Sequence, residues 1–179
     1  MVRVPVPPWG AWARPRGRVL VAEALASHRA AGWYPARAER YGEEALSYLR
    51  AAEGLSREDL AAAREAVADL AARLRAALAD VDVLALPTSP VPAPPRDTDP
   101  VRAAGELTVL CGSASAACLA AASVPCGQTR DGLPIGLQLV AAHEGRALAA
   151  ARLLQSLTDD HERSPAPPAV LADRAGGER

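Results

Sequence analysis

Pro87, Pro90, Pro92, Pro94 and Pro95 crowd into one short stretch, directly after the apolar run Val81–Asp82–Val83–Leu84–Ala85–Leu86. Proline has no backbone N–H to give to a ladder, so a strand cannot continue through such a stretch. The preceding run is short and nearly all apolar, the pattern of a strand buried on both faces. The chain must therefore hold a strand here and lead it out of the sheet at Pro87. A pocket rim often lies just past the end of such a strand. A rigid linker in extended polyproline form is the other reading of the same residues.

A long helix feeds this strand. Ser56 and Asp59 form an S-x-x-D capping box, in which each side chain can satisfy the other's free backbone amide. Leu60, Ala63, Val67, Leu70, Leu74 and Leu78 follow at intervals of three or four, which predicts an amphipathic helix ending near Asp80. Its charges are mixed rather than basic, so it reads as a core helix and not as a membrane-surface one. Upstream, the spacing predicts helices over Val19–Ala31 and Tyr41–Ala52. His28 reads as packed or exposed, and Tyr34, Tyr41 and Tyr48, seven residues apart, read as packing groups. Residues 1–18 form an irregular, proline-rich arm whose Trp9 and Trp12 are expected to lie against a neighbouring core.

Downstream, residues 96–106 read as irregular. The small-residue stretch Leu107–Ala122 reads as a closely packed helix, with a Gly-Ser turn as the alternative. Ser123–Gly127 is a short strand, Asp131–Gly132 a hairpin turn, and Leu133–Val140 the returning strand. Pro134 stands at the start of that strand, where no ladder donor is needed. Gly136 in its interior suggests close approach by another backbone. Glu144–Leu157 is a closing helix, and residues 161–179 form a tail expected to be disordered.

Composition excludes several functions. Twenty basic residues against 21 acidic give a net charge of −1. That balance supplies no basic face for nucleic acid and no reason to expect an anionic membrane surface. All the basic residues are arginine. Without lysine the chain cannot by itself supply a P-loop, a Schiff base or a serine–lysine pair. Cys111, Cys118 and Cys126 show no CxxC pair, so neither a disulfide framework nor a metal site is expected, and no cofactor is implied. The first ten residues lack the apolar run of a signal peptide, and no window has the length of a transmembrane helix, so a cytoplasmic protein is expected. Aromatic residues make up only 3% of the chain, and alanine must supply much of the buried area. The core should be thin, which fits a piece of a larger protein better than a self-sufficient domain.

The run Val81-Asp82-Val83-Leu84-Ala85-Leu86-Pro87-Thr88-Ser89-Pro90-Val91-Pro92-Ala93-Pro94 resembles the "vDvLltPTtPxxAP" segment of the amidase signature family. Ala121–Gly127 followed by Asp131–Val140 is similar to that family's "PAlsvPcG…dGLPvGlQlv" segment. Glu23 and His28 resemble positions of a helix that members carry upstream, so the likeness spans roughly residues 19–158. In these terms the chain divides into the arm 1–18, a partial amidase domain 19–160 and the tail 161–179.

The resemblance implies an α/β fold, a mixed sheet with flanking helices, and a reaction at a carbon–nitrogen amide bond. It implies a nucleophilic serine, a bridging serine in a cis peptide and a lysine that accepts the proton once its pKa is lowered. Backbone amides of a Gly/Ser loop would hold the oxyanion. Only the family's C-terminal portion is matched, so the fold is expected to be incomplete. The Gly-Gly-Ser-Ser-Gly-type run is absent and no lysine exists, so no catalytic residue is assigned. Ser113 and Ser115 lie in the wrong segment and read as packing residues. Ser115, Cys118 and Ala120 stand where the family pattern has Asn, Gly and Pro. Pro87, Thr88, Pro125 and Gly127 match well and are the candidates for supporting a substrate pocket, with strand termination and tight packing as their alternative role. The expected function is that of the C-terminal portion of an amide hydrolase, inactive alone. The alternative is a non-catalytic subunit that completes a separately encoded amidase half. A small amide substrate is then implied only after completion by an N-terminal half. A protein partner is possible, with neither nucleic acid nor membrane.

Overall fold

In the computed structural model, which describes residues 2–163, the capped helix forms where its spacing places it. Eight elements follow one another: α1 (Ala13–Ala30), α2 (Glu43–Glu53), α3 (Arg57–Ala77), β1 (Leu84–Pro87), α4 (Pro100–Ala116), β2 (Ala120–Gln128), β3 (Pro134–Ala141) and α5 (Glu144–Leu157). At the start of α3, Ser56 Oγ accepts from the Asp59 N–H at 2.9 Å. The reciprocal half of the box takes another form. Asp59 Oδ2 accepts from the Ser56 hydroxyl at 2.9 Å, and its Oδ1 lies 2.9 Å from Arg18.

α1 begins six residues earlier than the helical spacing from Val19 suggests. Pro15 does not prevent this, because it falls in the first turn, where a missing N–H costs nothing. A 3-10 turn, Trp9–Trp12, leads into the helix. Trp12 is 1% exposed and packs on Leu70, Ala71 and Leu74 of α3 and on Ala117, so it belongs to the core. Leu25, Tyr34, Leu49 and Ala52 pack α1 against α2.

α4 also starts early, at Pro100 rather than within the residues from Leu107. Asp99 Oδ1 caps it by accepting from the Arg102 N–H at 2.8 Å, and Pro100 occupies the opening turn. Residues 96–106 are therefore only partly irregular. At the other end α4 stops at Ala116, and Cys118 turns the chain with φ at 51°. Strand β2 then takes up residues that small size had suggested for the helix.

The sheet has the order β1-β3-β2, with both pairings antiparallel. Leu84 lies opposite Val140 and Pro87 opposite Leu137; Ala120 lies opposite Ala141 and Pro125 opposite Gly136. The register shifts between Pro125 and Gln128, and Gly132, with φ at 79°, turns the hairpin. On one face Leu86 and Val140 pack with Leu78 of the α3 end and with Leu110 and Ala114 of α4. On the other face Val124 and Leu139 pack on Ala151 of α5. The architecture is α/β, helices flanking a sheet, as the sequence suggests.

A further expectation changes. Val81–Leu86 reads as a strand buried on both faces, yet Ala85 is exposed. α5 packs mainly on β2 and β3. Alanine supplies a large part of the core, through Ala71, Ala114, Ala117, Ala141, Ala147 and Ala151 among others. Such small side chains bring backbones close but bury little area each. The tail assigned to 161–179 lies outside the described residues from 164 onward.

Candidate functional site

Strand β1 ends at Pro87 because the next ladder positions run into proline. The chain from Pro87 to Pro94 then bends away and forms one wall of an open groove of about 730 Å³. The β2–β3 hairpin forms the facing wall through Ser123, Pro125, Thr129, Pro134, Ile135 and Gly136, and Leu107 of α4 contributes from the helical side. The two sequence segments that carry the family resemblance thus meet across a single cavity.

Along its lining Thr88 Oγ1 and Ser123 Oγ share a hydrogen bond of 2.5 Å. Thr88 also donates its backbone N–H to the Gly136 carbonyl at 2.8 Å. Gly136 makes this convergence possible. A Cβ there would stand 2.8 Å from Thr88 Oγ1 and 3.0 Å from Ser123 Oγ. Gly136 therefore marks close approach, but by two hydroxyl side chains rather than by another backbone.

Of the four candidates, Pro87, Thr88 and Pro125 line the groove and Gly127 does not. Gly127 has φ at 138°, within the stretch where the β2 register shifts. Its fit to the family pattern therefore has a conformational cause. Ser123 and Gly136 belong to the groove although neither stood out as a site residue. Strand alternation could have placed them, since every second residue of β2 and β3 shares a face.

Among the described residues, none that lines the groove is charged. The walls are apolar and the polar contribution is hydroxyl. Such a groove can seat a small uncharged organic group and offer it one or two hydrogen bonds. It holds no base to take a proton from a serine. Ser113 is buried and donates to the Leu110 carbonyl at 2.7 Å, and Ser115 faces a different cavity beside Arg16 and Cys118. Burial, reinforced by the charge of Asp160, raises the Cys126 thiol above its ordinary value, which leaves it a poor nucleophile at neutral pH. Among the described residues no three His, Cys, Asp or Glu side chains are grouped to hold a metal ion.

Comparison with known proteins agrees with this geometry. A family model described as Amidase matches residues 22–145, which includes both walls of the groove. The chain belongs to the amidase family. A glutamyl-tRNA(Gln) amidotransferase subunit from Marinobacter nauticus is 43% identical to it over 94 residues, covering 50% of this amidase-family chain and 19% of that protein. The same subunit from Pseudomonas putida is 43% identical over 95 residues, with the same shares. The chain thus spans about a fifth of the length of these curated relatives. Among solved structures, an amidase superposes with a TM-score of 0.70 at 27% identity, over 86% of this chain and 36% of its own. A bacterial aryl acylamidase gives a TM-score of 0.65 at 17% identity, over 87% and 35%, a likeness of fold alone. The amidase-family fold seen here is therefore a minor part of what these relatives contain.

Proposed function

We propose that this chain is the C-terminal portion of an amidase-family hydrolase acting on carbon–nitrogen amide bonds, and that it does not turn over substrate alone. The observation that carries this reading is the groove between Pro87–Pro94 and the β2–β3 hairpin, which both matched segments build and which holds hydroxyls but no base. Pro87, Thr88 and Pro125 support the pocket wall in this reading, and the acyl or amine part of a small amide lies against them. The attacking serine, its serine bridge and the proton-accepting lysine come from an N-terminal portion. A cytoplasmic location accompanies this reading. Among the described residues no helix is long and apolar enough to cross a membrane.

Assay of the purified chain on simple amides tests the proposal. Turnover should not exceed that of buffer. Appreciable hydrolysis that a single serine substitution abolishes would show an attacking group within these residues and sink the reading.

A second reading has its own observation. The sheet ends at β1 with Ala85 exposed, as it would in a subunit that docks on a separately encoded amidase half. Size-exclusion chromatography with light scattering addresses it: a well-folded monomer indifferent to any amidase portion counts against a docking role.

A further inference from the structure

Past α1 the chain folds back on the helix it has just left. Gly32, with φ at 70°, turns it, and the His28 carbonyl accepts from both the Trp33 and the Tyr34 N–H, at 3.0 and 3.2 Å. Arg37 then donates its N–H to the Trp33 carbonyl at 2.8 Å, and a 3-10 turn, Ala38–Arg40, brings the chain to Tyr41. The loop is tied by its own backbone. It holds Trp33, Arg37, Arg40 and Tyr41 around His28, on a cavity of about 310 Å³. Among the described residues none lines both this cavity and the groove between the strands.

The polar groups here are rich in donors. Arg37 and Arg40 bring two guanidinium groups, which donate and never accept. Among the described residues neither is in an ion pair. The Glu53 carboxylate is taken by Arg29 at 2.6 Å and by the Tyr34 hydroxyl at 3.0 Å, and Glu39, between the two arginines in sequence, does not line the cavity. His28 Nδ1 and the Tyr41 hydroxyl share a hydrogen bond of 2.5 Å. If the hydroxyl donates, the neutral ring carries its proton on Nε2; if Nδ1 donates, the hydroxyl hydrogen is released. In both cases the pair keeps one spare N–H or O–H. Two unpaired guanidinium groups and one further donor, with no carboxylate among them, describe a seat for an oxyanion.

Trp33 adds a flat apolar wall. Its ring stands edge-on to His28, with centres 5.7 Å apart and planes at 73°, and the residue is 50% exposed. An indole left open beside unpaired cations suits a planar ring that carries the anion. The volume lies at the small end of the range for ligand pockets, which admits a single ring with its substituent.

We infer that the loop between α1 and α2 is a binding site for a small aromatic oxyanion, one planar ring bearing a carboxylate or a phosphate. Arg37 and Arg40 hold the anion, the His28–Tyr41 pair gives it a further hydrogen bond, and the ring lies against Trp33. The site is independent of the amide-hydrolysis reading.

Titration of the full chain with benzoate and with phenyl phosphate tests the inference, followed by the indole N–H resonance of Trp33 in a proton–nitrogen correlation spectrum and by calorimetry. Trp33→Phe assigns the resonance. A saturable shift is expected with at least one of the two, and the tighter one names the anion. The exposed pair Arg37→Gln with Arg40→Gln should weaken binding by about tenfold or more at an unchanged melting temperature, because the charge-assisted bonds are lost. Cyclohexanecarboxylate has the charge without the flat ring and inorganic phosphate has no ring, so each should bind about three- to tenfold more weakly than its aromatic counterpart. Trp33→Leu, read by calorimetry, should remove that preference while the anion still binds. The inference is overturned if neither aromatic anion gives a saturable shift at millimolar concentration, if the double arginine variant binds as tightly as the parent, or if the ringless or non-planar anions bind as well as the aromatic ones.

Discussion

At Gly136 a hydrogen in place of a methyl group decides whether Thr88 and Ser123 can meet. Gly136→Ala would drive a carbon to 2.8 Å from one hydroxyl and 3.0 Å from the other. Loss of about 1–3 kcal/mol of stability is expected from such overpacking, read as a lower urea midpoint at unchanged slope. Cys118 poses the opposite case. Its φ of 51° is a left-handed conformation that glycine adopts freely, and it stands where the family pattern has glycine. Cys118→Gly should therefore be stabilising or neutral by thermal unfolding, where most glycine substitutions lose stability. Tyr34 gives a pH test. Burial, then its hydrogen bond and proximity to Glu53, raise its phenol above the ordinary 10.0. Below that ordinary value both folded and unfolded chains keep the proton, so the associated stability is intact. As pH climbs through the raised folded value, the unfolded chain releases the proton first and stability falls. Urea midpoints from pH 8 to 11 should show that decline, and Tyr34→Phe should reduce it, leaving the part that the raised Cys126 thiol contributes.

The elements differ in how much of them could be read from the residues. The Ser56–Asp59 signal is local, and the helix it starts runs where the spacing puts it. Ser56→Ala should cost about 1 kcal/mol by chemical denaturation, because the Asp59 N–H loses its acceptor. The start of α4 rests on an equally local signal, Asp99–Pro100, but polar neighbours mask it. Pro15 hides the start of α1 in the same way, since proline reads as a breaker unless it is known to lie in a first turn. The groove was legible one wall at a time. Each wall is a contiguous motif, whereas their meeting depends on the pairing of Pro87 with Leu137 and Pro125 with Gly136, which no spacing along the chain encodes. The apolar character of Val81–Leu86 announces burial but not which neighbour provides it.

Across the whole molecule, apolar surface is left uncovered. On α5, Leu153 is 62% exposed and Leu157 74%, one turn apart on the side away from Ala147 and Ala151. The double substitution Leu153→Arg with Leu157→Arg should leave the melting temperature within a few degrees and lower light scattering of concentrated solutions, because these side chains contribute little to the core. The sheet itself has an unusual dependence. β1 and β2 each bond to β3 and never to one another. Among the described residues every ladder therefore passes through the eight residues from Pro134 to Ala141. No subset of the sheet can outlive that segment, so the amides of Leu137 to Val140 should exchange at the rate of complete unfolding, and a lesion there should dissolve the strands as a unit instead of fraying them from one side.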